Sequence, residues 1–245
     1  LRGLGYPKTF ATPPTPAGPA ALGPEEPRHA TRVLRRGPGD AIELFDGQGR
    51  IAEATIAQVA RAEVRVTVGT VRVIDPPTRG CLTLLTALPR APRQPFLFEK
   101  ATELGVAEIV PLVTARSTVK PRAEAVAKFR RTCIEAAKQC GTPFLPRVAS
   151  PQTFTESLTH GAAGVQRLIA TTIGTPADLA QVQPPLDMSA GTALWIGPEG
   201  GFAPDEVAQA EAAGIVPVSL GPNVLRIETA CLAAAAWHRL RKVQP

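Results

Sequence analysis

The chain is poor in aromatic residues, histidine and cysteine, and each shortage argues against a class of function. Phe, Trp and Tyr make up 4% of the 245 residues, so the cores must rest on Leu, Val, Ile and Ala. Three scattered histidines do not suit a zinc centre, and no metal is expected. The four cysteines, Cys81, Cys133, Cys140 and Cys231, show no CxxC spacing, which argues against a disulfide scaffold or a dithiol redox pair. Cys133 and Cys140 stand two helical turns apart on one apolar stripe and read as core packing. No apolar run reaches membrane-spanning length, and no basic-then-apolar segment opens the sequence. The expectation is a reduced, cytoplasmic, soluble protein with no membrane partner.

What is present suffices for a folded enzyme or binding protein. Hydrophobic residues reach 44% against 20% charged, enough for one large domain or two smaller ones and unlike a disordered chain. The formal net charge is +6. A phosphate-rich partner would benefit from that excess, although charge alone leaves nucleic acid and ordinary solvation equally open.

Two patterns divide the chain. The first 25 or so residues are rich in Pro, Gly and Ala and read as loop, apart from a strand near Thr9-Phe10-Ala11. Residues 28–36 form a short basic amphipathic stretch. From Asp40 to Ile74 apolar residues alternate with polar ones, with Asp46-Gly47-Gln48-Gly49 as a hairpin turn. Short strands so close together suggest a small barrel or meander, and residues 75–80 read as a linker. Beyond it strands and helices alternate, as in an α/β domain. Strands are expected at 81–88, 108–113, 167–171, 193–196 and 216–220, and helices at 95–104, 121–140, 204–213 and 228–242. The helix at 121–140 carries Val126, Phe129, Cys133, Ala136 and Cys140 as its apolar stripe. Arg122, Lys128, Arg130, Arg131 and Lys138 form its other side, most simply a solvated face.

Two turns hold the chemistry. Leu194 to Phe202 leaves an apolar strand through Gly197-Pro198-Glu199-Gly200-Gly201, and Leu220 to Ala230 does the same through Gly221-Pro222-Asn223. Glycine lets a ligand approach the main chain, and Pro204 suits the first turn of the next helix. A phosphate cradle is one reading of the first turn, yet neither a GK[ST] nor a GxGxxG follows it. Arg226, Glu228 and Thr229 cluster where the second turn enters a helix. They form either a structural ion pair or a set that orients loops and substrate.

These segments, with RHATRVLRRGPGD (28–40), EKATELGVAEIVPLVTARSTVK (99–120) and EAAKQCG (135–141), resemble the RsmE family of small-subunit ribosomal RNA uridine-N3 methyltransferases in the SPOUT superfamily. The resemblance runs from about Arg28 to Leu240. It implies a PUA-like RNA-binding β-barrel over 1–75 and a SPOUT-type α/β domain with a C-terminal trefoil knot over 76–245. It also implies a homodimer that uses S-adenosylmethionine to methylate N3 of a uridine in 16S ribosomal RNA or the small subunit. Rival readings are a SPOUT methyltransferase with another target nucleotide and a catalytically silent RNA-binding assembly protein.

Carried over residue by residue, the resemblance gives the cofactor Thr171, Ile196, Gly197, Pro198, Glu199, Gly200, Gly201, Leu220, Gly221, Val224, Leu225 and Thr229. It gives catalysis Arg226 and, less directly, Glu228, which is more simply structural. It gives RNA Arg28, Arg32, Arg35, Arg36, Arg116, Ser117 and Lys120. The chain departs from the family pattern at Thr142 and Asn223, where arginines are usual, and at Ile227, where a threonine is usual. Ala203 replaces the usual Ser or Thr cap opposite Glu206, so no capping box is expected.

Overall fold

Strand β12 (Thr192–Ile196) is buried along its whole length, which an isolated run of TALWI cannot achieve without cover on both faces. The computed structural model supplies that cover. It describes residues 8–10, 18–22, 37–60, 63–76, 80–161, 163–183 and 189–240, in two compact units.

The first unit groups residues up to Pro76 with the segment Ile134–Leu145. Its strands are β1 (Lys8–Phe10), β2 (Gly18–Ala21), β3 (Ala41–Phe45), β4 (Arg50–Val59) and β5 (Val64–Val73). They form one sheet in the order β1-β3-β4-β5-β2, antiparallel except for β1 against β3. The period-two reading holds: Val64, Val66 and Val68 are buried and the intervening residues exposed. Together with Ile42, Leu44, Ala54 and Ile56 they form the core of this sheet. The expected turn joins β3 to β4, where the Asp46 carboxylate accepts from the Gln48 and Arg50 amides at 2.7 and 3.1 Å. Gly49 must be glycine: its φ is +98°, and a Cβ there would sit 2.6 Å from the Ile74 carbonyl oxygen. The short strand β2 was not expected, because Gly-Pro-Ala-Ala has no period-two pattern of its own.

The second unit carries a parallel sheet. Its strands are β6 (Leu82–Ala87), β7 (Glu108–Val113), β8 (Arg147–Val148), β9 (Gln152–Thr153), β10 (Gln166–Ala170), β11 (Ala177–Asp178), β12 and β13 (Val216–Ser219). The order is β11-β13-β10-β12-β6-β7-β8, with β9 also on β7. Helices are α1 (Gln94–Glu103), α2 (Ala125–Cys140), α3 (Phe154–Ser157), α4 (Pro204–Ala212) and α5 (Ile227–Leu240). Strand β13 enters last yet lies between β10 and β11, which the chain has already joined through residues 171–176. Strands consecutive in the chain are ordinarily neighbours; here β13 separates two of them, an order consistent with the expected C-terminal knot.

Side-chain packing explains two departures on α2. Its first turns bury Phe129, which stacks on Phe98 of α1 at 4.2 Å, together with Cys133. Its last turns belong to the first unit, where Ala137 and Ile134 pack with Phe45 and Ile51. The buried stripe therefore changes face along the helix. Cys140 ends exposed rather than in a core, correcting the expected stripe. Lys138 is buried rather than solvated, its ammonium 2.9 Å from Glu135. The basic residues Arg28, Arg32, Arg35 and Arg36, and half of the linker (residues 77–79), lie outside the described residues.

Candidate functional site

Parallel neighbours β13, β10 and β12 end at the same edge of the sheet, and their following loops converge there. Open α/β sheets present ligand crevices at that edge. The three loops enclose a cavity of about 320 Å³.

The first wall is residues 196–202. Gly201, with φ +67°, donates to the Pro198 carbonyl at 2.8 Å and closes a tight turn. Phe202 is buried beneath it and meets the Phe154 ring at 5.4 Å. From outside, the Arg116 guanidinium donates to the carbonyls of Gly200 at 2.9 Å and Phe202 at 3.3 Å. The buried Glu206 carboxylate accepts from the Ala203 and Ala115 amides, both at 2.8 Å. Half of a capping box thus survives at α4. Ala203 has no hydroxyl to supply the other half, and Glu206 uses its second oxygen to tie in the β7–α2 connection.

The second wall follows β13. Ser219 Oγ accepts from the Gly221 amide at 3.2 Å, and Gly221 stands at φ +112°. Leu220, Asn223, Val224 and Leu225 continue the wall, and Ile227 and Ala230 of α5 form its floor. The third wall is Ala170 to Ile173. The Thr171 amide donates to Val218 at 3.0 Å, and Thr171 Oγ1 accepts from Ile173 at 3.0 Å.

Of the twelve residues assigned to a cofactor, eleven line this one cavity: Thr171, Ile196, Gly197, Pro198, Glu199, Gly200, Gly201, Leu220, Gly221, Val224 and Leu225. Thr229 does not; it is exposed on α5. Arg226 is exposed between two lining residues without lining the cavity itself. Glu228 is buried and ion-paired with Arg93 Nη1 at 3.3 Å. Of the residues assigned to RNA, Arg116 lines the cavity and buttresses its first wall. Ser117 closes a turn by accepting from the Thr114 amide at 3.0 Å. Lys120 is exposed. The sequence reading missed Phe202, Ser219, Ile227 and Ala230; their positions beside the two turns were the available signal. Asn223 and Ile227, which depart from the family pattern, both line the cavity.

None of the four cysteines lines this cavity. Burial pushes the Cys231 thiol up to about 12, despite a hydrogen bond shared with Thr86, and Cys133 is pushed up to about 11 by burial. Among the described residues no cluster of His, Cys, Asp and Glu could hold a metal ion, and no helix is long and apolar enough to cross a membrane. The cavity is lined by glycine-rich main chain, apolar side chains and a few hydroxyls. Its size and mixed lining suit an organic cofactor recognised through backbone groups. Removing Glu206 should loosen the first wall: Glu206→Ala is expected to cost about 1–3 kcal/mol, because two amides lose their acceptor. Urea unfolding measures that cost.

Residues 76–239 match an RNA methyltransferase domain family, and residues 22–69 an RNA methyltransferase PUA domain family. The ribosomal RNA small subunit methyltransferase E of Mycobacterium bovis is 33% identical over 91% of this chain and 87% of its own length. That of a Synechocystis strain is 33% identical over 84% of this chain and 67% of its own. Among solved structures, the Neisseria gonorrhoeae methyltransferase E bound to S-adenosyl methionine is 29% identical, with a TM-score of 0.85 over 94% of this chain and 95% of the other. A Legionella pneumophila methyltransferase with bound cofactor SAM is 30% identical, with a TM-score of 0.84 over 96% and 97%.

Proposed function

Since this chain belongs to the ribosomal RNA small subunit methyltransferase E family, we propose that it uses S-adenosylmethionine to methylate N3 of a uridine in 16S ribosomal RNA. The observation that carries this reading is the single cavity made by loops after three adjacent parallel strands, lined by eleven of the residues expected to hold the cofactor.

S-adenosylmethionine, when bound, supplies an activated methyl group, so the protein's work is alignment. The 196–201 turn and the 220–225 loop would hold it through main-chain groups, with Thr171 on the third wall. Uridine N3 carries a proton and must shed it to become nucleophilic. Arg226, exposed beside the loop, provides a fixed cation to stabilise the resulting anionic base. Arg28, Arg32, Arg35, Arg36 and Lys120 supply phosphate contacts, which position RNA without reading its sequence. The working form is a cytoplasmic homodimer; Val224, 82% exposed on the second wall, is an apolar side chain that a second copy would cover.

The reading is tested by methyl transfer to purified, unmodified small ribosomal subunits followed by nucleoside analysis. N3-methyluridine is the expected product; a different modified nucleotide would reassign the target. Failure to bind the cofactor at near-millimolar concentration in calorimetry would leave an RNA-binding assembly protein. Arg226→Ala is expected to abolish methylation while the unfolding midpoint stays put, as befits an exposed side chain. Wild-type turnover in that variant would remove Arg226 from the mechanism.

A further inference from the structure

The same edge of the sheet holds a second cavity, and of its lining residues Glu199 alone was assigned to the cofactor. About 560 Å³ in volume, it is lined by Arg90, Pro92, Arg93, Thr118 and Glu199. Arg90 to Arg93 lead from β6 into α1, Thr118 follows β7, and Glu199 belongs to the turn after β12. In the sheet β12, β6 and β7 are consecutive neighbours. The cofactor cavity covers the ends of β13, β10 and β12, so the second cavity continues the same edge over the next two strands. Glu199 lines both.

The chemistry of this lining is specific. The reactive edge of a uracil ring offers acceptor, donor and acceptor in O2, N3–H and O4. Its complement is one acceptor flanked by donors. Among the described residues Glu199 is the only carboxylate lining the cleft, and Arg90, Arg93 and Thr118 are all able to donate. Arg93 is held in place by Glu228, 3.3 Å away at the start of α5. Glu228 itself is buried, committed to Arg93, and lines neither cavity.

Building on the methyltransferase reading above, we propose that the Arg90–Arg93–Thr118–Glu199 cleft receives the target uracil and that Glu199 takes the N3 proton where the two cavities meet. The N3–H bond breaks, its electron pair stays on N3, and the proton forms an O–H bond on the Glu199 carboxyl. Donors from Arg90 and Arg93 to O2 and O4 spread the resulting negative charge. The anionic N3 is then the nucleophile that methylation consumes.

The test compares wild type, Glu199→Gln, Glu199→Asp and Arg90→Gln with purified unmodified small subunits as probe. Three quantities are measured: the calorimetric Kd for S-adenosylmethionine, the Kd for subunits by filter binding, and the single-turnover rate against pH. Glu199→Gln should bind the cofactor within about threefold of wild type yet react about 10²–10⁴ times more slowly near neutrality. Its deficit should shrink by about tenfold per pH unit as alkali ionises N3 unaided, with Glu199→Asp intermediate. Arg90→Gln should bind subunits about tenfold more weakly, with the cofactor Kd unchanged. A pH-independent deficit in Glu199→Gln, a wild-type rate, or a large loss of cofactor affinity would each overturn the base role. Wild-type subunit affinity in Arg90→Gln would remove that residue from the cleft's function. If wild-type protein binds cofactor but forms no N3-methyluridine, the methyltransferase reading itself fails and takes this proposal with it. A normal wild type beside a normal Glu199→Gln sinks only the proposal.

Discussion

Trp195→Ala should lower the free energy of unfolding by about 3–5 kcal/mol, the usual cost of emptying a large buried aromatic site. Trp195 is fully buried in the middle of β12, in register with Leu85 of β6 and Ile169 of β10. Its indole N–H donates to Ser157 Oγ at 2.8 Å, and the Arg167 guanidinium lies 5.7 Å from the ring centroid. The neighbouring strands are fixed by their own ladders, so the hole cannot collapse and most of the lost contact stays lost. Trp195→Phe separates the terms: it keeps most of the volume and loses the hydrogen bond, for about 1 kcal/mol from that bond. Urea denaturation of both variants checks the ordering. A loss under about 1 kcal/mol for the alanine variant would mean that β12 is not the centre of this core.

Gly221→Val should weaken S-adenosylmethionine binding about tenfold to hundredfold, the equivalent of the 1–3 kcal/mol needed to hold a non-glycine residue in such backbone. Gly221 sits at φ +112° with no protein atom within 4 Å of where a Cβ would stand. The penalty is therefore conformational. A branched residue relieves it by moving the loop, and Leu220 and Leu225, which line the cavity, move with it. The same open space beside Gly221 is where a bound cofactor would approach the main chain. Calorimetry reads the effect directly, and Gly221→Ala should fall between valine and wild type. Unchanged affinity in the valine variant would show that this loop is not a wall of the cofactor site.

The strands and helices of the second unit were largely legible because their signals are local. Glu108–Val113 is a strand at the expected bounds, and α4 starts at Pro204, where proline suits a first turn. The first unit was legible through the alternation of Val64, Val66 and Val68. Short strands escaped, since β2, β8, β9 and β11 have two to four residues each and carry no period. At the site, the two glycine turns announced a backbone-lined pocket. The partner of each charged residue was not announced: Arg116 buttresses Gly200, Glu206 reaches Ala115, and Glu228 holds Arg93. Each of these pairs joins residues 84 to 135 positions apart or closes one loop on another, a separation at which spacing carries no information.

By itself, the sequence determined where backbone could turn sharply and which residues favour burial. Those properties belong to single residues and their near neighbours: the φ that glycine permits and the area an apolar side chain hides. Tertiary structure decided the rest. It inserted β13 between β10 and β11, so that the turns after β12 and β13 became two walls of one cavity. It split the buried stripe of α2 between two cores, leaving Cys140 out and Lys138 in. It also separated the two acidic candidates, locking Glu228 into an ion pair and setting Glu199 between two cavities. Long-range packing settled these outcomes because a side chain's partner depends on which elements meet, and only the folded sheet brings them together.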